Sequence, residues 1–341
     1  MNDSMMDVVV CVEPGDLSVQ QRPIPKRASD EVLIRVRHVG VCGTDMHIYR
    51  GTQPYLTYPR VMGHELSGEV VEAPSGSQLR IGDPVYVVPY MSCGRCAACV
   101  KNKPNCCMNI EVLGVHCDGA LAQFVSIPAR FVFRADGITL EQAAMIEFIA
   151  IGAHAVRRAD VRRGQRVLVS GAGPIGIACA LFSNLAGADL TVIDSREERL
   201  AFCRDRLGIA RTLSPNDGLE SELLAATQGE MYDVVFDATG NPAAMQAGFK
   251  YIAHGGSYVL VSVVNADITF SDPEFHRREA TLLGSRNATP EDFEVVLNAM
   301  RAGMIPTQAL NTHVAELSEV PTALPQWMVP DAGVIKAIVR C

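Results

Sequence analysis

Val167-Leu-Val-Ser-Gly171-Ala-Gly173-Pro174-Ile175-Gly176 reads as a short apolar strand that turns sharply into a helix. A G-x-G-x-x-G string alone is weak evidence. Here it has a strand before it, a helix after it with Ile175, Ala178, Cys179 and Phe182 on its buried stripe, and an acid, Asp194, at the end of the next strand. Each part has a physical task. Gly171 makes the turn, Gly173 lets the backbone approach a pyrophosphate, and Gly176 lets helix and sheet pack closely, while the unpaired N–H groups of the helix start face the phosphates. Asp194 can accept both hydroxyls of an adenosine ribose and would repel a 2′-phosphate, so the expected cofactor is NAD. Arg196 and Arg199 follow closely. Arginines there can serve a 2′-phosphate or simply form a solvated helix start.

Outward from this turn, helices alternate with the short apolar runs Val167–Ser170, Leu190–Asp194, Asp233–Asp237, Tyr258–Val263 and Thr281–Gly284. That pattern predicts a doubly wound parallel sheet, a Rossmann domain. Before about residue 135 the texture is β. Val32, Ile34 and Val36 alternate with Leu33, Arg35 and Arg37, and another strand is expected over Val85–Val88. A helix should open at Thr289-Pro290-Glu291-Asp292 and bury Phe293, Val296, Leu297 and Met300. A last strand is expected over Val334–Val339. The simplest architecture is α/β: a β domain over 1–150, an inserted Rossmann domain over 151–285, and a return to the first over 286–341. At 341 residues two domains are expected. A net charge of −8 argues against nucleic acid or an anionic membrane as partner, and no apolar run approaches a membrane span.

Cys93-Gly-Arg-Cys96-Ala-Ala-Cys99, with Cys107 following, places four thiols in one short lobe over 93–107. Four thiolates complete a tetrahedron around zinc and leave no position for substrate. With no signal-like segment a cytoplasmic location is expected, where thiols stay reduced, so a disulfide reading is poorer. Cys106 is adjacent to Cys107, and the sequence does not choose between them. A second metal position is suggested by Cys42, His64 and Glu65, with Glu147 in an apolar run where a carboxylate is costly unless something positive pairs with it. An incomplete cage of this kind suits a zinc that keeps one position for substrate.

Gly63-His64-Glu65 with Gly68, the four-cysteine lobe, and Gly171 to Gly176 with Asp194 occur together in the order found in the zinc-containing medium-chain dehydrogenase/reductase family, which this chain resembles over nearly its whole length. The resemblance implies that the β domain is a GroES-like barrel, that two zincs are bound per chain, and that Cys42, His64 and Glu147 sit at the catalytic zinc with Glu65 as an exchangeable fourth carboxylate. It implies that Thr44 and His47 carry the proton away from the alcohol, and that Lys336 touches the cofactor pyrophosphate. An imidazole suits that exit because it exchanges protons near neutral pH. Where the polyol and threonine dehydrogenase branches of that family usually have Glu-Pro, this chain has Glu147-Phe148, which puts the turn after Glu147 in question.

Tyr58-Pro-Arg-Val-Met-Gly-His64, Leu113-Gly-Val-His116-Cys-Asp-Gly119, Ser271-Asp-Pro-Glu-Phe-His276 and Gly284-Ser-Arg286-Asn287 resemble a bacterial sugar-acid branch of that family. Arg286 matches a substrate-contacting position, and a guanidinium there can hold a carboxylate through two hydrogen bonds. His116 is a second candidate contact, or a loop histidine that only packs. The expected activity is NAD-dependent oxidation of a secondary alcohol on an aldonate such as L-galactonate, L-gulonate or L-idonate, by a homo-oligomer (dimer or tetramer). L-threonine 3-dehydrogenase, a neutral-polyol dehydrogenase and a non-catalytic zinc-stabilised binding protein are the alternatives.

Overall fold

The 4–341 segment is described by a computed structural model. It divides into two units, one running to Glu147 and resuming at Thr289–Cys341, the other Phe148–Ala288. These limits lie three residues from the expected breaks at 150/151 and 285/286, so Arg286 belongs to the second unit and not to the returning segment.

In the first unit the central strand is Glu31–Val41. Val32, Ile34 and Val36 are fully buried as their alternation requires, and Leu33, placed on the other face, is buried too. Strand Glu65–Glu72 pairs with one side of it, with Gly40 opposite Glu65. Strand Lys336–Arg340 pairs with the other, with Ala337 opposite Val41. Both are antiparallel, so the chain's last strand comes to lie against one of its first. Pro84–Val87, Val132–Arg134, Phe124–Pro128 and Asn311–Glu316 complete a seven-stranded sheet. The helix Pro290–Arg301 starts at Thr289, where the Asp292 carboxylate accepts the Thr289 N–H at 2.8 Å. Its apolar stripe is buried, and Phe293 stacks on Tyr86.

The second unit is a six-stranded parallel sheet in the order Arg211–Leu213, Asp189–Ile193, Arg166–Ser170, Tyr232–Asp237, Ile252–Leu260, Thr281–Gly284. Numbered along the chain this is 3-2-1-4-5-6, the order of dinucleotide-binding sheets. The Arg211–Leu213 strand had no sequence signal, because it is three residues long and only half buried. Among the described residues no helix is long and apolar enough to cross a membrane.

Candidate metal and dinucleotide sites

The Cys42, His64 and Glu65 side chains come together, with one ligand atom from each within 4.8 Å of the others. Sheet register brings this about. Cys42 follows the end of the central strand, and His64 and Glu65 stand where the neighbouring strand begins. Asp45 ties the two segments, accepting the Cys42 N–H at 2.9 Å and the Gly63 N–H at 3.1 Å. Its position three residues after a helix N-cap is a capping-box signal that could have marked it. Glu147, the other expected carboxylate, falls outside the close trio. It is buried beside it, with Oε1 accepting the Tyr90 hydroxyl and Oε2 without a partner. Glu147 and Phe148, the latter where the polyol and threonine dehydrogenase branches have proline, both lie within the Ile146–Arg158 helix, so no turn follows Glu147.

Lys336, expected at the cofactor, lies at the pocket. It is 1% exposed, donates from Nζ to the Val41 carbonyl at 2.9 Å, and forms an ion pair with Glu65. An ammonium turned inward in this way faces a ligand-bearing carboxylate. Pairing across the sheet explains it, because Gly40 separates the two strands and has no side chain to keep them apart. A Cβ there would stand 2.6 Å from Glu65 Oε2 and 2.9 Å from Lys336 Cε.

The pocket gathers negative charge around His64. Burial opposes a charged His64, yet the Cys42 sulfur and the Asp45 and Glu147 carboxylates hold its pKa well above the ordinary value. Burial and the neighbouring Glu65 charge push the Glu147 carboxyl up, and burial with Glu147 does the same to the Tyr90 phenol. The His64 Nδ1 atom, both Glu65 oxygens and Glu147 Oε2 are buried and accept or donate no hydrogen bond, Lys336 meeting Glu65 only as an ion pair. Buried polar atoms are rarely left this way, and a thiolate, an imidazole and a carboxylate suit zinc. Thr44 Oγ1 lies 3.8 Å from Cys42 Sγ, and the exposed His47, one turn on, meets Thr52 Oγ1 through Nδ1 at 2.9 Å.

Nearby, the backbone N–H groups of Gly119, Ala120 and Leu121 bond to the carbonyls of Val61, Gly63 and Met62. This fixes the loop carrying His116 against the strand that leads to His64. His116 Nδ1 accepts the Val112 N–H at 3.0 Å, so Nε2 carries the proton in the neutral ring. Tyr55 stacks on it at 6.3 Å. Arg286 is exposed, two residues beyond the Thr281–Gly284 strand of the second unit.

In the lobe, Cys93, Cys96, Cys99 and Cys107 lie within the same close limit, while Cys106 is exposed. Backbone N–H groups of Cys93 and Asn109 point at Cys107 Sγ, at 3.3 and 3.4 Å, and that of Met108 at Cys96 Sγ, at 3.5 Å. Backbone donors from Arg95 and Cys96 bring the Cys93 thiol down to about 6, whereas desolvation and shared sulfur contacts lift Cys99 to about 11. Four sulfurs with N–H groups aimed at them fit a closed zinc site.

The glycine-rich turn has the predicted form. Gly171 has φ +94°, and a Cβ on Gly176 would stand 1.7 Å from the Gly171 carbonyl oxygen. Among the described residues no side chain caps the Pro174–Leu185 helix at its Gly173 start, which leaves the first N–H groups open to an anion. Asp194 accepts the Ala172 N–H at 2.6 Å and the Arg196 N–H at 2.9 Å. The Arg196 and Arg199 guanidinium groups stand 4.0 and 3.9 Å from its carboxylate.

Residues 28–137 match the alcohol dehydrogenase GroES-like domain, and 174–302 match the zinc-binding dehydrogenase domain. The chain is 40% identical to the L-galactonate-5-dehydrogenase of Escherichia coli K12 across 98% of its own length and 99% of that protein's. An alcohol dehydrogenase from E. coli CFT073, solved with NADH, superposes with a TM-score of 0.93 at 28% identity, covering 99% of this chain and 100% of that one. A dehydrogenase of the zinc-binding type from Sinorhizobium meliloti 1021, solved with NADP, gives 0.91 at 28% identity, with coverage of 99% and 100%. The lobe, the open trio and the glycine-rich turn on a 3-2-1-4-5-6 sheet therefore have one reading: the chain belongs to the zinc-type medium-chain alcohol dehydrogenases, oxidoreductases built from a GroES-like and a Rossmann domain.

Proposed function

We propose that the protein oxidises a secondary alcohol of a sugar acid, L-galactonate or an epimer such as L-gulonate, at C5, yielding the keto acid, NADH and a proton. The observation that carries this reading is the end-to-end 40% identity to an L-galactonate-5-dehydrogenase. Two zincs per chain and action in the cytoplasm as a homo-oligomer belong to the same proposal.

Cys42, His64 and Glu65 would hold the catalytic zinc, which when bound supplies a Lewis acid for the alcohol oxygen, while the dinucleotide supplies the hydride acceptor. The chain's own groups do the rest. Thr44 places a hydroxyl beside the Cys42 sulfur to receive the alcohol proton, and the exposed His47 passes it to solvent. Glu147, fixed by Tyr90, keeps one free oxygen in the pocket. Asp194, oriented by two backbone N–H groups, accepts the ribose hydroxyls and sets the preference for NAD, with Arg196 and Arg199 softening its repulsion of NADP. Arg286 pairs with the substrate carboxylate, and His116 donates from Nε2 to a hydroxyl.

The test is kcat/KM on L-galactonate, L-gulonate, sorbitol and L-threonine with NAD and with NADP, for the wild type and Arg286→Ala. The sugar acids should lead with NAD. Losing a charged hydrogen-bond pair worth ~1.5–3 kcal/mol should cost them about ten- to a hundredfold more than sorbitol. Wild-type preference for sorbitol or threonine would sink the reading, and equal losses would remove Arg286 from substrate recognition.

A further inference from the structure

Beside the metal position the pocket buries three groups that are anionic when a metal is held, the Cys42 thiolate, Glu65 and Glu147; a fourth buried carboxylate, Asp45, is met by the backbone N–H groups of Cys42 and Gly63. His64 contributes no net charge as a neutral ligand. A divalent cation supplies two positive charges, and the third has one evident source. Lys336 is fully buried with its ammonium against the Glu65 carboxylate and the carbonyl of Val41, the residue that precedes Cys42. It therefore touches both ligand-bearing segments at once. Gly40, with no side chain between Glu65 and Lys336, permits the contact. The two carboxylates are compensated differently. Glu65 is in direct contact with a full cation, whereas Glu147 accepts its hydrogen bond from the neutral hydroxyl of Tyr90.

We propose that Lys336 is a positioning residue that balances the charge of the metal pocket, holding Glu65 in place and setting how tightly the site retains its divalent ion. Its ammonium repels that ion and draws charge from the Glu65 carboxylate, so it loosens the site. Glu147 acts with the opposite sign. Removing Lys336 should leave the pocket one charge too negative, and neutralising Glu147 should leave it one too positive. In a low-dielectric pocket such imbalances fall on the ion itself.

This rests on the metal site proposed above, and the experiment separates the two. Holoenzyme is placed in excess chelator and zinc loss is followed by metal analysis of timed samples, with wild type, C42A, K336M, K336R and E147Q. The fast phase of zinc loss should be absent in C42A, which would start with one zinc fewer. In K336M the fast phase should slow by about tenfold, in E147Q it should quicken by about tenfold, and K336R should return to within about threefold of wild type. A merely structural role would quicken loss in K336M and E147Q alike, and that result, or an unchanged rate in K336M, overturns the proposal. Should K336M not fold, a slower or unchanged loss in E147Q overturns it just as well. An undiminished fast phase in C42A would instead remove the metal-site reading itself.

Discussion

The four-cysteine lobe and the Cys42 pocket both gather side chains that bind metals, and they do so by opposite means. The lobe draws all four sulfurs from residues 93–107, and its further partners are backbone N–H groups of the same short segment. The pocket draws on Cys42, His64 and Glu65, supported by Asp45, Tyr90, Glu147 and Lys336, which pairing of distant strands brings together. The lobe compensates its sulfurs with local dipoles, the pocket with charges. A closed cage made of local dipoles suits a permanent structural ion, whereas a buried set of opposed charges with unpartnered atoms suits an ion that must accept a further ligand.

The widest break of this comparison would come from swapping the effects of two cysteines. Cys42→Ala should lower kcat by roughly a thousandfold or more, for ~4 kcal/mol of lost charge stabilisation, with the thermal midpoint little changed. Cys99→Ala should leave a partly folded or insoluble chain, because binding energy in a closed site is folding energy. Melting curves and metal content of the two variants decide the matter. An unfolded Cys42→Ala beside a stable Cys99→Ala would reverse the roles argued for the two sites.

The same contrast explains what could be read in advance. The lobe was visible as spacing alone, apart from the choice between Cys106 and Cys107, which depends on which sulfur turns inward. The glycine-rich turn and five of the six parallel strands were visible because strand, turn and helix follow one another in sequence. The pocket was legible only in part, through His64, Glu65 and Cys42. Tyr90 and Glu147 meet across 57 residues, and Lys336 and Val41 across 295. No local pattern encodes such pairings. The Glu65–Lys336 contact was accordingly unforeseen, since a lone lysine in an apolar strand carries no sign of its partner until the register is known.

Gly40 sharpens the comparison on the pocket side. Its missing side chain is what lets Glu65 and Lys336 meet across the central strand, and a Cβ would also stand 2.8 Å from the Ala144 carbonyl. Backbone cannot yield as a flexible side chain does, so Gly40→Ala should cost about 1–3 kcal/mol of stability. It should also disturb zinc retention at the open site while leaving the lobe's zinc in place. Denaturant melts together with metal analysis would show both. Unchanged stability would mean that the Glu65–Lys336 contact is looser than its geometry indicates.

The smallest effect is expected at the lobe, from two adjacent cysteines treated alike. Cys107 is 2% exposed and receives backbone N–H groups from Cys93 and Asn109, while Cys106 is exposed and stands outside the sulfur cluster. Cys106→Ser should therefore lie within about 0.5 kcal/mol of wild type, as surface substitutions do, and keep its full metal content. Cys107→Ser replaces a soft thiolate with a hydroxyl that zinc binds poorly, and should lose the lobe's ion and much of the stability with it. Metal analysis and thermal melts on the pair test the assignment one sulfur at a time. If Cys106→Ser were the damaging change, the lobe would close around the other sulfur, and local spacing would have located the site without fixing its fourth ligand.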